Sequence, residues 1–209
     1  MVCTIAIIDY EMGNLRSVQK GLESLGFSAL VTDNPEEVVA ASGVILPGVG
    51  AFEDAIANLK KAGMIEAITE VVRRDRPLLG ICLGMQLLFT ESEENGLHRG
   101  LDLVAGRVVR FPETRKVPHM GWNKMRKVRE SPLWKGLPED SYFYFVHSYY
   151  CDPDEPVAIG SCEYGLNFTC MLQKRNLFGC QFHPEKSSTL GLRVLRNFGE
   201  LCEQSAPAG

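Results

Sequence analysis

The stretch from Pro77 to Phe89 holds the residues whose types and spacing best fit a chemical role. It begins as an apolar run, passes through a Gly-x-Cys-x-Gly segment centred on Cys82, and continues as Met-Gln-Leu-Leu-Phe. The apolar run indicates a buried strand, and the segment after Gly84 is expected to begin a helix. A nucleophile between two glycines on a strand-to-helix turn is the elbow geometry of hydrolases, here with cysteine in place of serine. We therefore predict Cys82 to be a nucleophile.

A nucleophilic cysteine needs a base and a group that orients the base, because most free cysteines simply pack in the core. His183 is the best base among the four histidines, since it follows an apolar run and precedes Pro184, which holds it extended. Glu185 stands two residues further on, so both side chains can lie on one face. Alone, this tripeptide would fit an ordinary turn at the end of a strand. Beside an elbow cysteine, we predict His183 as general base and then acid, with Glu185 orienting it.

Acyl transfer also requires an oxyanion hole. The N–H group of Leu83, which follows the nucleophile, is the expected first donor. The segment Pro47–Gly50 contains Val49 between two glycines. It is expected to offer a second backbone N–H, because glycine lets the backbone approach a substrate closely. A plain turn at a strand end is the alternative interpretation, and the two are compatible.

The elements that position these groups begin with three apolar runs, Cys3–Ile8, Ser28–Val31 and Gly43–Leu46, separated by two segments of helical spacing. This rhythm indicates a parallel, doubly wound sheet with right-handed crossovers. Pro47–Gly50 and Cys82 both follow strands of that sheet. Ligands in open α/β sheets bind beyond the carboxyl ends of the strands, so we expect these two features to converge on one site.

Beyond Phe89 the helical spacing gives way to short strand-like runs, which indicate antiparallel pairing. They are Leu101–Phe111, Met120–Val128, Tyr142–Tyr150, Val157–Ser161, Asn167–Leu172 and Leu177–Phe182. We predict an α/β protein with a flavodoxin-like three-layer fold, whose mixed, mainly parallel central sheet is extended by antiparallel strands. The sequence shows no repeat, linker or low-complexity tract, so residues 1–209 are predicted to form a single domain.

Composition narrows the function class. A net charge of −4 gives no electrostatic case for nucleic acid or an anionic membrane, and no apolar run approaches the roughly 20 residues that span a bilayer. The seven cysteines are dispersed and include no Cys-x-x-Cys, so neither a disulfide framework nor a metal site is expected. No cofactor is predicted. Because the start lacks a charged region before a cleavable apolar segment, a reducing cytoplasm is the expected location.

The elbow Gly80–Gln86 together with His183–Glu185 resembles the class I, or triad, glutamine amidotransferases. Within that superfamily the chain is similar to the glutaminase subunits of imidazole glycerol phosphate synthase, from histidine biosynthesis. Three stretches carry this narrower resemblance: Asp9–Leu15, Pro47–Phe52 and Pro118–Asn123. The resemblance runs from Ile5 to about Phe198, and the Pro-His-Met-Gly-Trp-Asn stretch is its most discriminating part.

The resemblance implies that glutamine is hydrolysed to glutamate and ammonia through a thioester on Cys82. The ammonia would pass to a separate (β/α)₈-barrel cyclase subunit in a heterodimer, which makes imidazole glycerol phosphate and aminoimidazole carboxamide ribotide. The family's glutaminase is nearly silent until the partner holds its substrate, with Pro47–Gly50 as the switch. The expected oxyanion-hole residues are Leu83, Val49 and Gly50; the substrate-binding residues are Gly48, Gln86, His147, Ser148 and Tyr149; the partner-interface residues are Asn14, Met120, Trp122 and Asn123.

Three alternatives remain open at the level of the sequence. One is a sibling amidotransferase serving anthranilate, pyridoxal phosphate or guanylate synthesis; another is a different cysteine hydrolase on the same scaffold; the third is a non-catalytic binding module. One departure from the family pattern is Glu11, where glycine is expected. If that position needs a positive φ, glutamate strains it.

Overall fold

The computed structural model describes residues 3–205, which form thirteen strands and six α-helices. The first half runs β1 (Thr4–Ile8), α1 (Leu15–Ser24), β2 (Ser28–Thr32), α2 (Pro35–Ala40), β3 (Gly43–Leu46), α3 (Phe52–Lys61), α4 (Met64–Arg73), β4 (Leu78–Ile81) and α5 (Leu83–Leu87). The second half runs β5 (Phe89–Ser92), β6 (His98–Arg99), β7 (Val104–Arg110), β8 (His119–Lys127), β9 (Ser141–His147), β10 (Tyr149–Pro153), β11 (Ala158–Glu163), β12 (Asn167–Lys174), β13 (Leu177–Cys180) and α6 (Ser188–Ser205). No helix in this part of the chain is long and apolar enough to cross a membrane.

All strands belong to one mixed sheet, as predicted. Its parallel half has the order β2-β1-β3-β4-β13. Antiparallel strands continue it through β12, β10 and β7, while β11, β8 and β9 form a branch beside β12. The last strand of the sequence, β13, lies beside β4, with Cys180 level with Ile81. Chain segments about a hundred residues apart therefore end side by side.

Helices cover both faces of the parallel half, which confirms the three-layer prediction. In β1, Ile5 and Ile7 pack towards α1 and α6, while Ala6 and Ile8 pack towards α2, α3, α4 and α5. Because both faces are buried, the strand is apolar throughout rather than alternating. The apolar runs of the N-terminal half are explained by this burial.

The asparagines that precede α1 and α2 behave differently. At α2 the side chain of Asn34 accepts a hydrogen bond from the Glu36 N–H at 2.9 Å, as an N-cap should. Asn14 precedes α1, but it makes no side-chain cap, since its ψ of 57° is not the extended value of an N-cap. Its amide instead donates to Glu185 Oε1 at 3.5 Å. A residue assigned to a helix end thus contacts the candidate triad.

The structure also corrects some element boundaries. The helix after Gly84 ends at Leu87, and a strand that the sequence did not predict, β5, begins at Phe89. This apolar run is buried on every side, so it carries no periodicity that separates helix from strand. The predicted strand Tyr142–Tyr150 is divided into β9 and β10 at Ser148. The other predicted runs match β7, β8, β11, β12 and β13 to within a few residues.

Glu11 adopts the left-handed conformation, with φ of 67°, so the strain expected for glutamate at this position is present. Its ion pair with Lys61 is about three-quarters exposed at 3.7 Å and offsets little of that strain. We expect Glu11→Gly to raise the free energy of unfolding by about 0.5–1 kcal/mol, because the relief of strain exceeds the added freedom of the unfolded chain. Urea denaturation measures the change. Glu66→Gly, at an exposed position inside α4, should instead lose about 1 kcal/mol; equal losses in both variants would contradict this account.

Candidate active site

Cys82 lies on a strained turn between β4 and α5. Its φ of 55° and ψ of −112° form a backbone conformation that residues other than glycine rarely adopt, and its side chain is buried. A Cβ atom on Gly84 would lie 1.8 Å from the Leu46 carbonyl oxygen, and one on Gly80 would lie 2.6 Å from the Gly84 carbonyl oxygen. Only glycine fits at either position. The elbow predicted from the sequence is therefore a packing requirement.

His183 follows β13 and Cys82 follows β4, so the pairing of these two parallel strands brings both residues to one edge of the sheet. His183 is extended before Pro184, as predicted, and the short 3₁₀ turn Pro184–Lys186 turns Glu185 back towards it. The distance from His183 Nδ1 to Glu185 Oε1 is 2.9 Å, with both side chains almost fully buried. Because a carboxylate only accepts, Nδ1 carries the proton that it donates to Glu185.

The other ring nitrogen of His183, Nε2, makes no hydrogen bond to any residue between 3 and 205. Burial by itself would lower the pKa of His183. The neighbouring Cys82 sulfur and the Glu185 carboxylate outweigh burial and raise that pKa to about 10. At neutral pH the imidazole is held in its charged form. An imidazolium beside the sulfur suits a catalytic cysteine, because the thiolate is the nucleophile.

A buried pair of amides reaches the sulfur from the other side. Gln181 donates to Cys82 Sγ at 3.7 Å and accepts from Gln86 Nε2 at 3.1 Å. The second N–H of Gln86 donates to the Tyr149 carbonyl oxygen at 3.1 Å. Both hydrogens of the Gln86 amide are thus used, and its oxygen is what remains for a ligand. Sequence reasoning missed Gln181, whose signal was a polar residue inside the apolar run Leu177–Phe182.

A cavity of about 280 Å³ opens at this edge of the sheet. It is lined by Val49, Gly50, Cys82, Leu83, Gln86, Glu94, Pro118, Val146, His147, Ser148, Tyr149 and His183. Most of the predicted catalytic, oxyanion-hole and substrate-binding residues are in this set. Glu94 was not predicted, because nothing marks it among the acidic residues near it. Its carboxylate accepts from the Phe52 N–H at 2.8 Å, which anchors the start of α3.

The predicted oxyanion segment packs against the elbow. The Tyr10 hydroxyl donates to the Pro47 carbonyl oxygen at 2.7 Å. Gly48 lies behind the cavity wall, since a Cβ there would be 2.9 Å from Leu83 Cβ. Val49 and Gly50 line the cavity, and their N–H groups make no hydrogen bond to the described residues. Their role as oxyanion donors stays a prediction.

Two further histidines, His119 and His147, form a pair at the cavity wall. His147 Nε2 and His119 Nδ1 are 2.9 Å apart, and His147 Nδ1 lies 2.8 Å from the Tyr149 carbonyl oxygen. Burial lowers the pKa of His147 to about 3 and that of His119 to about 4. Both imidazoles are neutral at neutral pH. Since both nitrogens of His147 are engaged, its ring does not offer a hydrogen bond to a ligand.

The four predicted interface residues divide into two kinds. Met120 and Trp122 are 62% and 54% exposed on one face of β8, which is unusual for large apolar side chains. Asn14 and Asn123 are half-buried, and both donate to residues inside the protein, Asn14 to Glu185 and Asn123 to the Glu163 carbonyl oxygen. None of the four lines the cavity that contains Cys82.

A cysteine elbow beside a buried His–Glu pair on this fold is the arrangement expected of the class-I triad amidotransferases. The family model of class-I glutamine amidotransferases matches residues 6–201. A solved glutamine amidotransferase shares the fold with a TM-score of 0.75 at 20% identity, covering 95% of this chain and 98% of that one.

Named relatives of high sequence identity show to which family of class-I glutamine amidotransferases the chain belongs. The chain is 60% identical to the imidazole glycerol phosphate synthase subunit HisH of Moorella thermoacetica, over 98% of each chain. It is 53% identical to the subunit of the same name from Methanosarcina mazei, over 95% of this chain and 98% of that one. The chain belongs to the HisH family of class-I glutamine amidotransferases.

The close packing at Gly84 predicts that Gly84→Ala strongly destabilises the protein. The added methyl would overlap the Leu46 carbonyl at the end of β3, so we expect a loss of about 3 kcal/mol in the free energy of unfolding and loss of the site geometry. Gly26→Ala is the matched control, because its φ of +92° is strained but no atom lies within 4 Å. It should cost about 1 kcal/mol. Similar losses in the two variants would show that the Leu46 contact is not the constraint.

The His119–His147 pair predicts acid sensitivity. Lowered pKa values mean that the unfolded chain, with imidazoles near 6.5, takes up protons first as the pH falls. Their contribution to stability is complete above pH 6.5 and is lost below it. Between pH 7.5 and 5 we expect a loss of about 2 kcal/mol for each histidine.

Urea unfolding of the parent and of the double variant His119→Phe, His147→Phe at both pH values isolates the pair. His183 acts in the opposite direction, since its raised pKa favours the folded state more as the pH falls towards 6.5, but it is common to both proteins. Equal changes in stability between the two pH values in parent and variant would contradict the prediction.

Proposed function

We propose that this chain hydrolyses glutamine to glutamate and ammonia, and that the ammonia serves the cyclase subunit of imidazole glycerol phosphate synthase in histidine biosynthesis. The observation that carries the proposal is the triad of Cys82, His183 and Glu185 beside a cavity of about 280 Å³. Membership of the HisH family supports the choice of reaction and pathway. The activity is carried by one domain, residues 1–209, without a metal or cofactor.

In the acylation step, the Cys82 sulfur, with its proton already on His183 Nε2, attacks the side-chain carboxamide carbon of glutamine. The negative charge on the carboxamide oxygen is stabilised by the N–H groups of Leu83 and of the Val49–Gly50 segment. His183 then gives its proton to the leaving nitrogen, so that ammonia departs and a glutamyl thioester remains. Glu185 holds the ring with Nδ1 protonated and stabilises its charged form throughout.

In the second step, water attacks the thioester carbon while His183 Nε2 takes a proton from it. The tetrahedral intermediate uses the same oxyanion donors. Its collapse breaks the carbon–sulfur bond, and glutamate leaves while His183 keeps the proton that it took from water, which restores the starting state. The two steps need one base that changes role, which a buried imidazole with a fixed tautomer provides.

The cavity wall supports a free amino acid as substrate. The Gln86 oxygen and the Glu94 carboxylate belong to residues that line the cavity, and they are acceptors for the α-ammonium group. His147 contributes by holding the Tyr149 carbonyl rather than by touching glutamine. Gly48 contributes by letting the oxyanion segment pack against the elbow.

The partner we propose is a (β/α)₈-barrel cyclase subunit in a heterodimer. Ammonia in water at neutral pH is mostly ammonium, which is not a nucleophile, so the product must travel along a dry path. Met120 and Trp122 are exposed apolar side chains on β8, of the kind enriched at the centre of protein interfaces. Asn14 and Asn123 lie half-buried where contact with the partner can reach the site, and Pro47–Gly50 is the proposed switch for the second oxyanion donor.

Cys82→Ala is expected to abolish glutamine-dependent turnover by the complex and to leave the ammonia-dependent reaction of the cyclase subunit within about twofold, because only the nucleophile is removed. Product formation with glutamine and with ammonium salt as nitrogen donors measures both. Cys3→Ala, a partly buried cysteine away from the cavity, is the control and should keep both activities. Glutamine-dependent turnover by the Cys82→Ala complex would exclude Cys82 as the nucleophile.

A further inference from the structure

The histidine pair under the cavity wall extends in both directions. Outwards, Asn123 Nδ2 lies 3.2 Å from His119 Nε2 and donates to the Glu163 carbonyl oxygen at 2.9 Å. The Asn123 oxygen accepts from the Lys124 N–H at 2.7 Å, which fixes the orientation of the amide. Asn123 lies on β8, the strand that carries Met120 and Trp122, and its two N–H bonds face His119 and the Glu163 carbonyl oxygen.

The hydrogen bonds allow only one tautomer for each histidine. His147 Nδ1 faces a carbonyl oxygen, so it must carry the proton, and His147 Nε2 must accept. The donor to His147 Nε2 is then His119 Nδ1–H. His119 Nε2 is left to accept, and the amide of Asn123 is the donor that faces it. Every polar atom of the pair is satisfied in this arrangement with both rings neutral.

Inwards, the relay continues to the sulfur. The Tyr149 carbonyl oxygen accepts from His147 Nδ1 and also from Gln86 Nε2, at 2.8 and 3.1 Å. Gln86 then donates to Gln181, and Gln181 donates to Cys82 Sγ. An unbroken series of hydrogen bonds connects Asn123 on β8 to the nucleophile. All of its side chains except Asn123 are buried.

Packing leaves the two rings little freedom. His119 lies between Tyr164 and Phe145, with ring centroids 4.1 and 5.0 Å away. The rings of Phe111 and Phe168 pack against the ring of His147, with centroid distances of 5.2 and 5.4 Å. A buried acceptor that loses its donor in such surroundings cannot turn to water, so the loss of one donor disturbs its neighbour.

We propose that His119 and Asn123 are positioning residues for glutamine binding. They hold His147 as the Nδ1–H tautomer, which holds the Tyr149 carbonyl and Gln86 at the cavity wall. A contact that moves Asn123 on the exposed strand is transmitted to the cavity along this relay. The assignment of glutamine as the ligand rests on the proposed function, whereas the relay itself does not.

The relay is tested first without a ligand, by ¹⁵N NMR of the full chain labelled at histidine. His119 and His147, assigned from single variants, should both show a protonated Nδ1 and an unprotonated Nε2 at pH 7.5. A protonated Nε2 on either ring overturns the relay, whatever the protein binds.

The consequence for the ligand is tested by calorimetric titration of glutamine into the full chain carrying Cys82→Ser, which keeps an acceptor for Gln181. His119→Phe keeps an aromatic ring between Phe145 and Tyr164 but removes the donor to His147. It should weaken glutamine binding about tenfold. His119→Asn, whose amide nitrogen lies near the position of Nδ1, should recover most of the affinity.

Tyr164→Phe is the matched control, because it keeps the ring against His119 and loses only the hydroxyl bond to the Lys116 carbonyl. Its affinity should stay within about twofold of the parent. Unchanged affinity in His119→Phe, or an equal loss in Tyr164→Phe, overturns the positioning role. A parent protein that binds no glutamine would overturn the proposed function instead, and the tautomer measurement would still decide the relay.

Discussion

The parallel pairing of β13 with β4 is the constraint on which the rest of the site depends. Cys180 is level with Ile81, so the residues that follow the two strands leave the sheet together. The pairing brings His183 to Cys82 across about a hundred residues of sequence. The antiparallel strands lie between the two residues in sequence, and the chain returns to the centre of the sheet only at β13. The site is thus a product of topology as much as of its own residues.

Close packing around the elbow links the nucleophile to the oxyanion segment. Gly84 leaves no room for a methyl against the Leu46 carbonyl, and the next residues, Pro47–Gly50, run directly past Leu83. A shift of the segment Pro47–Gly50 therefore displaces the elbow, and a shift of the elbow displaces the segment, since protein interiors are nearly incompressible. This contact links the backbone of the segment Pro47–Gly50 to the elbow that carries Cys82.

The neighbouring groups shift the pKa values of the three buried histidines in opposite directions. His183 has a partner of opposite charge, so its pKa rises to about 10 despite burial. His119 and His147 have only neutral partners, so burial lowers both pKa values. The same imidazole group is a charged catalytic element in one place and a neutral structural one a few ångströms away, because the neighbouring groups differ.

The sequence by itself determined the elbow and the parallel N-terminal half, and it singled out His183 and Glu185 as candidates. These inferences depend on short-range features: two glycines around a cysteine, a proline after a histidine, and apolar runs between helical segments. Only the tertiary structure decided the short length of α5, the break at Ser148, the places of Gln181 and Glu94, and the role of Asn14 beside Glu185. Those features depend on partners far away in sequence. A buried polar residue shows its purpose only when the group it bonds to is brought beside it, and no local pattern encodes that distance.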